Sequence, residues 1–231
     1  YRTFGWSYDI ESYPEKTSYF SNSWMGNFDN EYRNYSQAGI LLVPCIQWDL
    51  ANTALSNKID ENGLPLRDGE GKLVKGDYWT RFDPMTYFIY ADGMFGFAAR
   101  YGTNNSPAIR EIANAHSKDA VQEVGLGYIK WLELGNEPDA TWHGGIVNYY
   151  SAYQLAALTS AGYDGHCRTL VSEHSAGGYH FGAKNADSQM GVAMAGISAT
   201  SNEYITAMCY WMKANRADSK VAVDAFNVHQ Y

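Results

Sequence analysis

The sequence predicts a parallel α/β fold, and three observations lead there. Short apolar runs alternate with amphipathic helical patterns along the whole chain, the mark of strands joined by helical crossovers. One run, GILLVPCIQ at residues 39–47, is apolar almost without a break, as expected of a strand buried on both faces. Neither a GxGxxG after a strand nor a GxxxxGK[ST] occurs, so the nucleotide-binding members of that fold class lose ground.

Each element has its own warrant. Residues 3–8 (TFGWSY) read as a strand. Residues 27–37 place Phe28, Tyr32 and Tyr35 at helical spacing, and the strand at 39–47 follows. Residues 49–84 break the rhythm. DENG, RDGEG and KGD are turn chemistry, so this segment reads as a long loop insertion with room for a small hairpin near residues 72–74. Its acidic turns do not match the spacing of an EF-hand loop. Residues 90–101 read as a helix closed by Gly102. Residues 128–136 (YIKWLELGN) read as a strand, and residues 148–162 as an amphipathic helix closed by Gly162. A strand at 168–174 (RTLVSEH), a helix at 202–215 with Asn202 as N-cap, and a strand at 222–231 (AVDAFNVHQY) complete the chain. There is no internal repeat and no low-complexity tract.

Composition bounds the function. The 231 residues are 45% hydrophobic, enough for one large core. Lys and Arg number 17 against 25 for Asp and Glu, a net charge of −8 with no basic cluster. Nucleic acid and anionic membrane both demand a basic footprint, so neither is expected as a partner. No run of about 18 apolar residues exists, so no transmembrane helix is expected. The N-terminus lacks the basic and apolar regions of a signal peptide, which suits a processed or trimmed start. Cys45, Cys167 and Cys209 lie far apart without CxxC spacing, which argues against a disulfide framework or a zinc site. His174, His180 and His229 form no HxH or HExxH, so neither metal nor cofactor is expected. Aromatic residues reach 15%, with 19 Tyr and 7 Trp. Their faces can stack on sugar rings, and they serve equally well in an ordinary core. The oligomeric state stays open.

The sharpest signal is WLELGNEPD at residues 131–139. Along a strand, Leu132 and Leu134 share one face, while Trp131, Glu133 and Glu137 share the other. Pro138 removes a donor and stops the ladder, placing Asn136 and Glu137 at the strand's C-terminal end. A carboxyl held there among apolar neighbours is expected to keep its proton and to donate it to a leaving oxygen.

Asn-Glu-Pro behind an apolar strand resembles the acid/base motif of clan A glycoside hydrolases, the clan of families 5, 39 and 51. The resemblance implies a (β/α)8 (TIM) barrel in which this motif ends the fourth strand. Glu137 is then the general acid/base, and Asn136 the ligand of the sugar 2-hydroxyl. AFNVHQY at residues 225–231 resembles the clan's sixth strand, which puts His229 and Tyr231 in the site. Counted this way, the chain covers roughly strands two to six, as one catalytic domain over residues 1–231. Strand one would precede Tyr1 and strands seven and eight would follow Tyr231, leaving the barrel incomplete at both ends. The clan's nucleophile, a Glu at the end of strand seven, would lie beyond Tyr231. That is the main departure from the family pattern.

Further site residues follow from the same count. Trp48, just past strand three, and Trp142 with His143, just past Glu137, are candidate sugar platforms and hydrogen-bonding groups. Glu173, near the end of the fifth strand, is a candidate substrate or supporting residue. Glu133 points inward below Glu137 and is expected to pair with an arginine, since an unpaired buried carboxylate is costly. The implied activity is cleavage of a β-linked glycoside or polysaccharide with retention, in a secreted or periplasmic setting. A non-catalytic carbohydrate-binding barrel is the alternative, and a metal-dependent hydrolase on the same fold a third.

Overall fold

The computed structural model describes residues 2–4, 22–47, 56–115, 123–141, 149–171, 178–198 and 201–229. Four short strands pair side by side in sequence order: β1 (Arg2–Phe4), β2 (Cys45–Gln47), β3 (Trp131–Glu133) and β4 (Gly191–Ala193). Every pairing is parallel, with Cys45 opposite Glu133 and Leu132 opposite Val192. Parallel neighbours need a crossover, and helices supply it. Helix α1 (Asn22–Gln37) joins β1 to β2; α2 (Phe88–Tyr101) and α3 (Pro107–Ala115) lie between β2 and β3. Helices α4 (Ala152–Arg168) and α5 (Ala183–Ala186) lie between β3 and β4, and α6 (Asn202–Asn215) follows β4. The terminal segment extends the sheet through parallel bridges of Ala225 to Ala193 and Val228 to Ile197. The described strands therefore form a parallel sheet in sequence order.

The two faces of β3 are chemically distinct. Leu132 and Leu134 are fully buried, and the Tyr90 hydroxyl of α2 donates to the Leu134 carbonyl at 2.9 Å. Trp131 and Glu133, on the other face, are half-buried. Helix α2 is buried along its whole length, so its polar groups must be paired. Arg100 makes a two-pronged contact with Asp29 of α1 (3.0 and 2.5 Å), and Tyr101 donates to the same carboxylate at 2.9 Å. Asp92 accepts from the Tyr179 hydroxyl at 2.5 Å.

The insertion is more ordered than turn chemistry suggested. Residues 57–59, 65–67 and 73–75 pair antiparallel in a closed ring: Lys58 donates to Val74, Val74 to Leu66 and Leu66 to Lys58, each at 2.9 Å. Asp60 and Asp68 close two like turns, each accepting two backbone amides through Oδ1.

Several sequence expectations need correction. The run at 39–47 enters the sheet only near its end; Ile40, Leu41 and Val43 stay exposed on the approach. Apolar content alone does not separate the approach from the strand. Residues 168–171 do not pair with β3, and residues 172–174 of the expected strand lie outside the described residues. Gly165, His166, Cys167 and Arg168 all adopt positive φ, and of the described residues beyond them only Val171 pairs, antiparallel with His180. Gly191–Ala193 takes that place instead. Gly162 stands one residue before the regular part of α4 ends, since Asp164–Cys167 leave helical φ/ψ, and a Cβ on it would lie 2.5 Å from the Tyr90 ring, so it also serves a close helix crossing. The start of α4 is fixed by a capping box between Ser151 and Gln154. Ser201, not Asn202, caps α6, accepting from the Tyr204 amide at 3.2 Å. Gly102 does cap α2, in an extended conformation; a Cβ there would meet the Asp187 carboxylate.

Candidate functional site at the end of strand β3

Beyond β3 the chain passes through Gly135, at φ +129°, to Asn136, which bridges Gly196 in the parallel sense. It then turns sharply. Glu137 adopts φ +48°, a region that side-chain-bearing residues avoid, and it does so before a proline, which narrows its choices further. Such backbone costs on the order of 1–3 kcal/mol and persists only where the surroundings impose it. Here they do. The Glu137 amide donates to Gly196 O at 2.7 Å, and its carbonyl accepts from Ala140 at 3.0 Å. The following loop is pinned as well. The Ser198 amide (2.7 Å) and hydroxyl (2.9 Å) bind the two oxygens of Asp139, and Tyr150 N donates to Pro138 O at 2.7 Å. Burial pushes the Tyr150 hydroxyl up to about 12, so it stays neutral beside this loop.

The Glu137 side chain is 5% exposed. Its Oε1 lies 2.8 Å from His229 Nδ1, across 92 residues of sequence. His229 is set in place by its own backbone, whose amide donates to Ile197 O at 2.8 Å. Asn136 is buried beside Glu137, and among the described residues its Oδ1 has no hydrogen-bond partner. Glu133 lies on the same face, and its Oε1 accepts the Gly196 amide at 2.9 Å. Among the described residues this backbone amide is one partner of Glu133. Chemically, the cluster offers a nearly dry carboxyl hydrogen-bonded to an imidazole, beside an amide oxygen able to accept from a hydroxyl or amide donor.

The structure brings together Glu137, Asn136, His229 and Glu133. Trp48, Trp142, His143, Glu173 and Tyr231 lie outside the described residues, as does His174. Sequence reasoning missed Gly196, Ser198 and the clamping role of Asp139. The apolar run MGVAMAGI at residues 190–197 was the available signal for a strand there.

One other cluster gathers metal-type ligands: Asp164, Cys167 and Asp218. A cation already sits among them. Arg216, with a side chain 1% exposed, holds Asp164 at 2.8 and 2.9 Å and Asp218 at 3.0 and 3.1 Å. It holds the Asp218 carboxyl well below the usual carboxylate range. The cluster reads as a structural tie between α4 and the segment after α6. Among the described residues no helix is long and apolar enough to cross a membrane.

Comparison with family models, curated proteins and solved structures returned no match.

Proposed function

We propose that this chain supplies the acid/base side of a retaining β-glycoside hydrolase built on a (β/α)8 barrel. The observation that carries the reading is Glu137 itself. It is a buried carboxyl on strained backbone at the C-terminal end of a parallel strand, 2.8 Å from His229 Nδ1 and beside the unpartnered Oδ1 of Asn136. The C-terminal ends of parallel strands are where barrels place their chemistry. The sequential, all-parallel order from β1 to residues 225–228 is the order five consecutive barrel strands would have.

In this reading Glu137 protonates the departing glycosidic oxygen while a second carboxylate attacks the anomeric carbon. Glu137 then takes a proton from the water that releases the sugar. Asn136 Oδ1 accepts a hydrogen bond from a sugar hydroxyl, and His229 holds Glu137 in place. Retention requires the second carboxylate about 5–5.5 Å away. We assign it to a Glu at the end of the strand that follows residues 225–231 in such a barrel.

Glu137→Gln in the full-length protein tests the reading. Turnover of glycosides with poor leaving groups should fall by about 10²–10⁴-fold, and activated aryl glycosides should lose less in their first step. Azide, which needs no general base, should rescue turnover of the activated substrate. Unchanged rates on both substrates would overturn the assignment. A wild-type protein that binds sugar without cleaving it would replace the enzyme by a binding barrel.

A further inference from the structure

Glu137 and His229 stand on segments that are not neighbours in the sheet. Residues 195–197 run between them: Gly196 bridges Asn136 on one side, and Ile197 bridges Val228 on the other. Adjacent strands lie about 4.8 Å apart, so segments separated by a third are about 9–10 Å apart. Yet the carboxyl and imidazole meet at 2.8 Å. Both side chains must reach across the middle segment, and what they cross is Gly196.

That residue has no room for a side chain. A Cβ built on it would lie 2.9 Å from both Asn227 Nδ2 and Glu133 Oε1, and closer still to His229 Nε2. Backbone geometry does not explain the glycine, because its φ is not positive, unlike that of Gly135. Space does. Both peptide groups of Gly196 are used as well, on the β3 edge. Its amide donates to Glu133 Oε1 at 2.9 Å, and its carbonyl accepts the Glu137 amide at 2.7 Å.

We infer that Gly196 is a positioning residue for the acid/base: its bare Cα is the floor over which His229 reaches Glu137, and its peptide groups fix Glu133 and the strained Glu137 backbone. The inference rests on Glu137 being the acid/base. It assigns function to a residue that touches no substrate.

The test is Gly196→Ala in the full-length protein, with Gly191→Ala as control. Gly191 lies on the same segment, and a Cβ there would run into the Trp131 ring, away from the carboxyls. Rates are measured on aryl glycosides of graded leaving-group ability. Gly196→Ala should slow the poor leaving groups by up to about 100-fold and the activated ones much less, as a misplaced acid does. Gly191→Ala should lower thermal stability and leave the leaving-group dependence as in wild type. The Gly196→Ala loss should also shrink in a His229→Ala background, since the tightest contact is then gone. An equal loss on all substrates, or an undiminished loss in that background, overturns the inference. Should Gly196→Ala alone fail to fold, the double variant is compared with His229→Ala: matching rates support the inference and a further loss overturns it. If Glu137→Gln keeps wild-type rates, the acid/base reading falls instead, which the same substrate series shows separately.

Discussion

Replacing Asn136 by alanine separates a residue kept for folding from one kept for a ligand. Its Oδ1 is buried and unpartnered, and an unmet buried acceptor costs about 1–3 kcal/mol. Alanine removes that acceptor. It also removes a few buried heavy atoms, worth on the order of 1 kcal/mol in burial and dispersion. The two effects nearly cancel, so the free protein should change by no more than about 1 kcal/mol, a Tm shift within roughly 4 °C for a chain of this size. The substrate side has no such compensation. A hydrogen bond to a sugar hydroxyl that tightens in the transition state is worth about 1–3 kcal/mol, or roughly 10–100-fold in kcat/KM. The assay pairs thermal unfolding of the free protein with kcat/KM on matched 2-hydroxy and 2-deoxy aryl glycosides. Asn136→Ala should be slow on the first and near wild type on the second. A Tm loss beyond about 8 °C with kcat/KM unchanged would refute the reasoning, because it would make Asn136 structural.

Three further outcomes follow from other sites. Arg216→Met leaves Asp164 and Ser160 without their cation and should cost about 3 kcal/mol or more, seen calorimetrically as a Tm loss of roughly 6–12 °C. Asp218 is held low by Arg216, so its contribution is present above the ordinary carboxylate range and is lost as pH falls through and below it. His166 is lowered by burial and by Arg216, so stability also declines as pH drops below about 6.5. Tm should therefore fall from pH 7 toward pH 3, and the decline below about pH 4 should be shallower in Arg216→Met. Gly162→Ala should destabilise by about 1–3 kcal/mol although alanine is the better helix former, because the new methyl meets Tyr90; a stabilised variant in chemical denaturation would show the crossing is loose.

What the sequence revealed depended on whether local pattern or tertiary contact sets the element. Residues 131–138 were legible because period-two alternation and a proline act locally: the leucines face the helices and the chain stops pairing where Pro138 stands. Helices α2 and α6 were legible for the same reason. Strand β4 was not. Its composition is Gly-Val-Ala, continued by Met-Ala-Gly, and small residues have weak strand preference. They are there because neighbours need the space, Trp131 over Gly191 and His229 over Gly196. RTLVSEH misled in the opposite way. Its β-branched residues look like a strand, but a left-handed turn at residues 165–168 redirects the chain before pairing begins. Gly162 reads as a helix end, and the regular helix does end one residue on; the approach of Tyr90 shows that it is a crossing point as well.

The strain at Glu137 argues for function independently of any motif. Among the described residues, at least three hydrogen bonds bear on this residue: its amide to Gly196, its carbonyl from Ala140 and its carboxyl with His229. At about 0.5–1.5 kcal/mol each, they can offset a positive-φ cost of about 1–3 kcal/mol. A glycine at position 137 would keep the two backbone bonds and remove the cost altogether. Beyond the backbone bonds, the carboxyl's bond with His229 is what a glutamate adds here. The strain is accepted for the sake of the carboxyl, and the turn that causes it is what carries that carboxyl off the end of β3 and over to His229.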